Sequence, residues 1–336
     1  MKQLIKKLVE ATGPSGYEHQ VREIIRAEVE PYADDIREDA LGNLIVRKGQ
    51  KTDAGKTIMV AGHMDEIGIM ATHINDKGFI SFTNIGGVNP RNLYGSRVRF
   101  LDGLVGVIGY KVANFSKSFT IEKPSLDMMF IDVGSTSKED CPVKVGDVAA
   151  FDRPFEDLGD RLVSKAMDDR IATAVMVQGL KDLKDSVNEV FFVFTTQEEV
   201  GLRGATTSAY GINPEIGLAI DVTPIFDTPG GKGASVFLGK GPALKMRDSS
   251  LVVDPKMIEW TSKAAEKIGI PYQYEVLPRG GTDAGAINLS RGGVPATCLS
   301  IPTRYVHSPS EMVDYNDVLN TVRLLVELVS KPVELG

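Results

Sequence analysis

The chain has 336 residues, 42% of them hydrophobic and 25% charged, which is typical of a globular protein and excludes a disordered or fibrous chain. This length predicts one or two domains of about 150 residues each, and the net charge of −7 disfavours nucleic acid as a partner, because phosphate binding requires a positive field. There is no apolar run of about 18 residues, so we expect no membrane contact and a cytoplasmic protein.

The amino-terminal part predicts two helices and two strands. Residues 1–9 carry apolar side chains at helical spacing, with lysines between them that interrupt any signal-peptide core. Ser15 and Glu18 have the spacing of a capping box, which predicts a second helix directly after them. Residues 44–46 and 58–61 are strand-like, and the second run is apolar throughout, as expected for a strand covered on both faces.

The middle of the chain has a different pattern of apolar and polar residues. After residue 70 the chain consists of short runs in which apolar and polar residues alternate, separated by residues that favour turns. Residues 128–131 and 143–148 are two of the strands predicted there. The segment contains no pattern that indicates a long helix. We therefore predict an inserted all-β domain, a small barrel or sandwich, at residues 71–159.

Helices and strands alternate again after residue 160. We predict a helix after Asp168, further helices at 256–267 and 317–329, and buried strands at 190–194, 216–220 and 296–301. Cys298 lies in the last of these runs and is expected to be a small core residue, and two cysteines cannot form a disulfide framework. The fold class is therefore α/β, a three-layer α/β/α domain built from residues 1–70 and 160–336.

Four of the apolar strands are each followed by polar side chains that can bind metals. His63 and Asp65 follow the strand at 58–61, and in open α/β sheets ligands bind beyond the carboxyl ends of the strands. A further cluster begins the helix at Asp168. The other clusters contain Glu198 and Glu199, Asp221, and His307.

Two imidazoles and several carboxylates form a donor set that suits zinc, cobalt or manganese. No thiolate belongs to the set, which argues against a closed structural zinc site. A carboxylate placed between two ions can bridge them, as in two-metal hydrolases. Most single acidic residues are surface charges, and we expect His19 and His73 to lie at the surface. The joint pattern at four strand ends nevertheless predicts a metal site.

Five segments, in this order and spacing, resemble the M42 family of metallo-aminopeptidases, which includes the tetrahedral (TET) aminopeptidases and the bacterial glutamyl aminopeptidases. The resemblance covers essentially the whole chain, insertion included. The segments are AGHMDEIG at 61–68, SKAMDDR at 164–170, TQEEVG at 196–201, AIDVT at 219–223 and PTRYVHSP at 302–309.

The resemblance implies a role for each of these residues. It implies two divalent ions per chain, with zinc or cobalt favoured and manganese as a further candidate. Glu198 would be the general base, and Asp65 would fix the tautomer of His63. The implied ligands are His63, Asp168 and Asp221 for one ion, and Asp168, Glu199 and His307 for the other.

The resemblance also implies peptide substrates, cleaved at their amino ends, and a homo-oligomer of dimers that assemble into a tetrahedral dodecamer through the inserted domain. Another metal-dependent amide hydrolase, a dipeptidase or a deacylase, could use the same ions. A glycoside hydrolase would need two carboxyl groups roughly 5 to 9.5 Å apart, and neither histidines nor metals. A non-catalytic assembly protein should have lost Glu198 or a ligand, and all are present.

The segment RGGTDAG at 279–285 also resembles the family. Its paired glycines allow a ligand to approach the backbone closely, and Asp283 is expected to cap the helix that follows. Arg279 would favour an acidic substrate side chain if it lines the pocket, and it has no such role if it lies at the surface.

Overall fold

The computed structural model describes residues 1–112, 123–231 and 235–335. The helices of these residues are α1 (Lys2–Glu10), α2 (His19–Val29), α3 (Met167–Asp182), α4 (Arg203–Ile212), α5 (Pro255–Lys267), α6 (Asp283–Asn288) and α7 (Tyr315–Ser330). The strands are β1 (Asp35–Glu38), β2 (Leu44–Lys48), β3 (Thr57–His63), β4 (Gly68–Ile74), β5 (Ile80–Ile85), β6 (Arg97–Phe100), β7 (Val105–Tyr110), β8 (Met129–Asp132), β9 (Val148–Phe151), β10 (Glu156–Asp157), β11 (Arg161–Ser164), β12 (Glu189–Thr195), β13 (Ile216–Pro224), β14 (Ala243–Arg247), β15 (Gln273–Val276), β16 (Ala296–Arg304) and β17 (Glu311–Asp314).

One large mixed sheet carries the α/β part of the molecule. Its main path runs β1-β2-β12-β3-β13-β16-β17-β11-β10, with β14 and β15 attached beside β16. The four central strands β12, β3, β13 and β16 are mutually parallel, so their carboxyl ends meet at one edge. These strands are apolar and almost fully buried, because helices cover both faces.

Two glycines let helices approach the two faces of this sheet. A β-carbon on Gly62 would meet Met176 and Ala172 of α3, and one on Gly217 would meet Ile287 of α6. Gly217 pairs with Met59, three residues before Gly62 in β3, and side chains alternate between faces along a strand. Helices α3 and α6 therefore pack on opposite faces, which gives the three-layer α/β/α arrangement that the sequence predicts.

The inserted segment forms a closed six-stranded antiparallel barrel with its own core. The strands run β4-β5-β8-β7-β6-β9 around the barrel, from Gly68 to Phe151 along the chain, and Ile80, Met129 and Ile131 are fully buried inside it. This confirms the predicted small barrel. Among the helices of the described residues, none has the length and apolarity needed to cross a lipid bilayer.

Two local predictions are wrong. Ser15 does not cap α2, which begins at His19 after Glu18 and has no side-chain cap. The segment predicted as a strand at 143–148 is irregular with a turn at residues 145–146, and β9 begins only at Val148, because Gly146 adopts a left-handed φ of 96° that interrupts an extended run. Cys298 is fully buried and unpaired, as expected for a core residue.

Candidate active site

The site lies where the four parallel strands end. His63 is the last residue of β3, and Thr195, the last residue of β12, is its neighbour in register. Asp221 lies near the end of β13, and His307 follows the end of β16 by three residues. The carboxyl edge of the sheet therefore gathers side chains from segments that are far apart in sequence, as expected for an α/β sheet.

The carboxylate of Asp168 lies between the two imidazoles. Its Oδ1 is 3.0 Å from Nε2 of His63, and its Oδ2 is 3.3 Å from Nε2 of His307. Asp168 reaches this position because it lies at the start of α3, where its backbone is not yet helical. One carboxylate thus faces two possible ligands in opposite directions, which is the arrangement that a bridging ligand requires.

Two donor groups share this carboxylate. In each group the ligand atoms lie within 4.8 Å of one another. Imidazole nitrogen and carboxylate oxygen are the donors that zinc and related ions accept, and burying this many carboxylates is costly unless cations compensate them. The residues present therefore fit two divalent ions. The groups are His63, Asp168 and Asp221, and Asp168, Glu199 and His307.

The electrostatics of the site favour cations. Burial raises the pKa of Asp221 and that of Glu198 well above the usual range for carboxyl groups. Burial acts in the same direction on Asp168, but hydrogen bonds with His307 and His63 hold its pKa below the usual value. Burial opposes protonation of His307, yet its two carboxylate partners raise its pKa to about 12. Protons and metal ions therefore compete for the imidazole nitrogens.

Asp65 organises the groups behind the ligands. Its Oδ1 is 3.3 Å from Nδ1 of His63 and accepts the backbone N–H of Glu198 at 3.0 Å. Its Oδ2 accepts the backbone N–H of Glu199 at 3.1 Å and the hydroxyl of Ser15 at 2.6 Å. One buried carboxylate therefore orients an imidazole and also the turn that carries both glutamates.

That turn explains how two adjacent glutamates reach one site. In a strand, neighbouring side chains point to opposite faces, so Glu198 and Glu199 could not both face the ions within β12. The strand ends at Thr195, and Gln197 then adopts a left-handed φ of 55°. Glu198 Oε2 comes within 3.8 Å of His63 Nε2, and Glu199 Oε1 within 3.1 Å of Nε2 of His307.

Glu311, a buried carboxylate on β17, also belongs to the site, although no sequence pattern singled it out. Its Oε2 accepts the backbone N–H of Asp168 at 2.9 Å, and its Oε1 accepts that of His307 at 2.8 Å. Glu311 therefore fixes the backbone of Asp168, which both donor groups share, and the backbone of His307, which belongs to the second group. The only feature of the sequence that could have indicated this role is an acidic residue in a short strand, four positions after His307.

A cavity of about 850 Å³ opens from these residues. Glu198, Asp221 and His307 lie on one side of it, and the segment 277–282 lines another side. Arg279 belongs to that segment and is exposed at the cavity. The prediction that Asp283 caps α6 is wrong, because Thr282 occupies the N-cap position and Asp283 Oδ2 instead accepts the hydroxyl of Thr195 at 2.5 Å.

The structure brings together all of the residues singled out as possible ligands or as the base, and it places His19 and His73 at the surface, as expected. The functional roles of these residues stay predictions.

The inserted barrel also contacts the site, through the loop after β5. A β-carbon on Gly87 would lie 2.5 Å from Cε1 of His307, and one on Gly86 would lie 3.0 Å from Oε2 of Glu199. At Gly87 a β-carbon would clash with the imidazole, and at Gly86 the contact with the carboxylate is tight and the φ of 74° favours glycine. The barrel thus forms one wall of the second donor group.

Replacing Gly87 with alanine should therefore disturb His307. The φ of Gly87 lies outside the left-handed region, so alanine introduces a steric clash and no backbone strain. We expect metal affinity to fall about 10- to 100-fold, the usual result of moving a ligand. Gly292→Ala is the matched control, because a β-carbon there would meet nothing within 4 Å. Equal metal affinity in the two variants would contradict the assignment.

Comparisons with known proteins agree on one family. Residues 42–324 match the family of M42 glutamyl aminopeptidases. The lysyl aminopeptidase of Pyrococcus furiosus is 36% identical, over 98% of this chain and 96% of that protein. The structure of an aminopeptidase from Desulfurococcus kamchatkensis is 42% identical and has a TM-score of 0.92, over 98% of this chain and 94% of that one.

A further similar structure is that of the TET1 peptidase of Pyrococcus horikoshii, which can assemble into a tetrahedron or a large octahedral shell. It is 35% identical and has a TM-score of 0.86, over 98% of this chain and 99% of that one. Family match, sequence identity and structural similarity all extend over most of the chain. The chain belongs to the M42 glutamyl aminopeptidase family and is an aminopeptidase, a hydrolase of peptide bonds.

Proposed function

We propose that this aminopeptidase works with two divalent ions, which share the Asp168 carboxylate, and with Glu198 as its general base. The observation that carries the proposal is the placement of one Asp168 oxygen toward each imidazole, at 3.0 Å and 3.3 Å. His63 and Asp221 would complete the ligands of one ion, and the other donor group would hold the second. The donor set suits zinc or cobalt best, and manganese less well.

When bound, such ions lower the pKa of water to near neutrality and polarise the carbonyl of the bond to be cleaved. Glu198 is placed to act as base beside them. In the site without ions, burial raises the pKa of its carboxyl well above the usual value for glutamate. It would take the proton of the attacking water and pass it to the departing amine. Asp65 would hold His63 in the tautomer that leaves Nε2 free, because its backbone carbonyl lies 3.1 Å and its Oδ1 3.3 Å from Nδ1.

Cleavage at the amino end follows from where the charges lie. The free amino terminus of a peptide would lie close to the metal ions and the acidic groups at this end of the cavity. An internal peptide bond has no such charge beside it. This asymmetry supports action on the first residue of a peptide.

The charged residues that line the rest of the cavity influence which side chain the enzyme prefers at the first residue of a peptide. Lys245 lines it, but its Nζ is 3.1 Å from Oε1 of Glu275, which compensates its charge. Arg279 also lines the cavity, and no salt bridge joins it to any described residue. We infer a preference for acidic or neutral first residues over basic ones. The Pyrococcus furiosus relative is named for lysyl substrates, so basic preference in this chain is the alternative.

We further propose that residues 1–70 and 160–336 form the catalytic domain, and that residues 71–159 mediate self-assembly in the cytoplasm. The barrel surface carries apolar side chains suited to a protein partner: Tyr94 is 58% exposed and stacks on Tyr110, and Val107 is 45% exposed. Dimers that assemble into a tetrahedral dodecamer are the proposed form, by analogy with the TET1 peptidase of Pyrococcus horikoshii.

Metal titration tests the two-ion proposal. Chelated protein titrated with cobalt or zinc should bind two equivalents per chain. Affinity should fall as the pH decreases, because both imidazoles have raised pKa values and must lose a proton before they bind an ion. A single equivalent at saturation, or an affinity that does not depend on pH, would contradict the proposal.

A further inference from the structure

The turn between α1 and α2 supplies a hydroxyl to the group behind the metal ligands. Ser15 is buried, and its Oγ donates to Oδ2 of Asp65 over 2.6 Å. The same carboxylate accepts the backbone N–H groups of Glu198 and Glu199 and lies 3.3 Å from the imidazole of His63. Each of the other three partners of Asp65 is part of the proposed metal centre. Ser15 is the fourth, and it comes from a turn 50 residues earlier in the chain.

Buried charges hold this turn against the sheet. The guanidinium of Arg170, which is fully buried, donates to the carbonyls of Leu8, Ala11 and Gly13 at 2.8 to 3.2 Å. The ammonium of Lys165 donates to the carbonyl of Ala11 at 2.9 Å. Buried cations need several partners, and here backbone carbonyls of the end of α1 and of the turn after it supply most of them.

A carboxylate completes this attachment. Oε1 of Glu66 accepts the backbone N–H of Gly13 at 3.0 Å, and Lys165 Nζ lies 2.8 Å from both Glu66 oxygens. Glu66 is the residue next to Asp65, and Arg170 is two residues after Asp168 along the chain. The turn is thus attached to the two segments that carry the central carboxylates of the site, so the position of Ser15 is fixed relative to Asp65.

The Ser15 hydroxyl makes no hydrogen bond within its own turn or to the start of α2 that would explain its burial. Helix α2 begins after Glu18 without a side-chain cap, so Ser15 is not used there. The backbone N–H of Gly16 donates to Oε1 of Glu18 at 2.7 Å, so another side chain serves the turn. The contact of Ser15 with Asp65 therefore has to be explained by the site.

We propose that Ser15 is a positioning residue for the metal centre. Its hydroxyl fixes Oδ2 of Asp65, and Asp65 in turn aligns the imidazole of His63 and the backbone of Glu198 and Glu199. Without the hydroxyl, Oδ2 of Asp65 keeps only the backbone N–H of Glu199, so the carboxylate is held less firmly and orients the imidazole and the two glutamates less precisely. The inference rests on the proposed metal site, and it assigns part of that site to the amino-terminal turn.

Cobalt binding to Ser15→Ala tests the inference without any assay of turnover. Chelated protein is titrated with Co²⁺, and the visible absorption of the bound ion, which reports ligand geometry, is recorded at saturation. We expect affinity to fall by up to about 10-fold, the lower end of the range for direct partners of metal ligands, because Ser15 acts through Asp65, and the spectrum to change. Ser15→Thr keeps the hydroxyl and should restore both readings.

Ser208→Ala is the matched control. It also removes a buried hydroxyl, but one whose 2.7 Å hydrogen bond to the carbonyl of Gly204 stays within α4. It should leave affinity and spectrum unchanged, whatever its melting temperature. If Ser15→Ala does not fold, Ser15→Cys, with its weaker donor, should bind cobalt less tightly than the natural chain. Natural affinity and spectrum in the folded Ser15 variant that lacks the hydroxyl would overturn the inference.

The outcome for the natural chain separates this inference from the proposed function. Failure of the natural chain to bind two equivalents of cobalt would contradict the two-ion site itself. Normal binding by the natural chain, together with normal binding by Ser15→Ala, would contradict only the role of Ser15.

Discussion

Replacing Glu198 with glutamine is expected to remove nearly all turnover and to leave the metal content of the protein unchanged. The amide has almost the shape of the carboxylate but cannot accept a proton, and general-base catalysis contributes about 10²- to 10⁴-fold to a rate. Glu198 belongs to neither donor group, so its loss should not release an ion. The measurement is kcat on an amino-acid p-nitroanilide together with metal analysis of the same sample.

The adjacent residue provides the matched control. Glu199→Gln changes the same functional group one position further along the turn, but Glu199 belongs to the second donor group. That variant should lose one ion per chain, and added metal should restore part of its activity. Near-natural kcat in Glu198→Gln, or loss of metal from it, would show that the base is wrongly assigned.

Asp168→Ala should have the second large effect, the loss of both metal and activity. Asp168 is the one residue common to the two donor groups, and its oxygens face both imidazoles. Its removal takes one ligand from each ion and leaves the charge repulsion between the ions uncompensated. We expect affinity to fall by more than the roughly 100-fold upper range for residues behind ligands.

Metal analysis after dialysis checks this expectation. Asp185→Ala removes the same charge from an exposed position and should keep both ions, so it controls for the change in net charge. Two ions per chain in Asp168→Ala would exclude the bridging role, even if activity were lost.

The strand ends that form the site can be predicted from the sequence because the signal is local. Each of the parallel strands is a short apolar run, and the polar residues at or just beyond the ends of β3, β12 and β13 lie within a few positions of that run. The rule that parallel strands share one carboxyl edge then brings distant segments together without any knowledge of their contacts. His63, Asp221 and the two glutamates belong to this class.

The residues that orient the ligands cannot be predicted in this way. Ser15 and Glu18 match a local capping pattern, but the hydroxyl has its partner 50 residues away, and the tertiary contact overrides the local preference. Glu311 accepts hydrogen bonds from the backbone N–H groups of Asp168 and His307. Every residue type offers such a backbone group, so the sequence pattern does not indicate the contact. Gly87 faces His307 across the contact between the barrel and the sheet, which only the folded chain defines.

The most direct test of the central claim is the hydrolysis of acidic, neutral and basic aminoacyl-p-nitroanilides by chelated protein, before and after cobalt or zinc is added back. We predict no release from the chelated protein, restored release after either ion is added, and faster release from acidic or neutral residues than from basic ones. No release from any substrate of the panel, in protein shown to hold two ions per chain, would contradict the account.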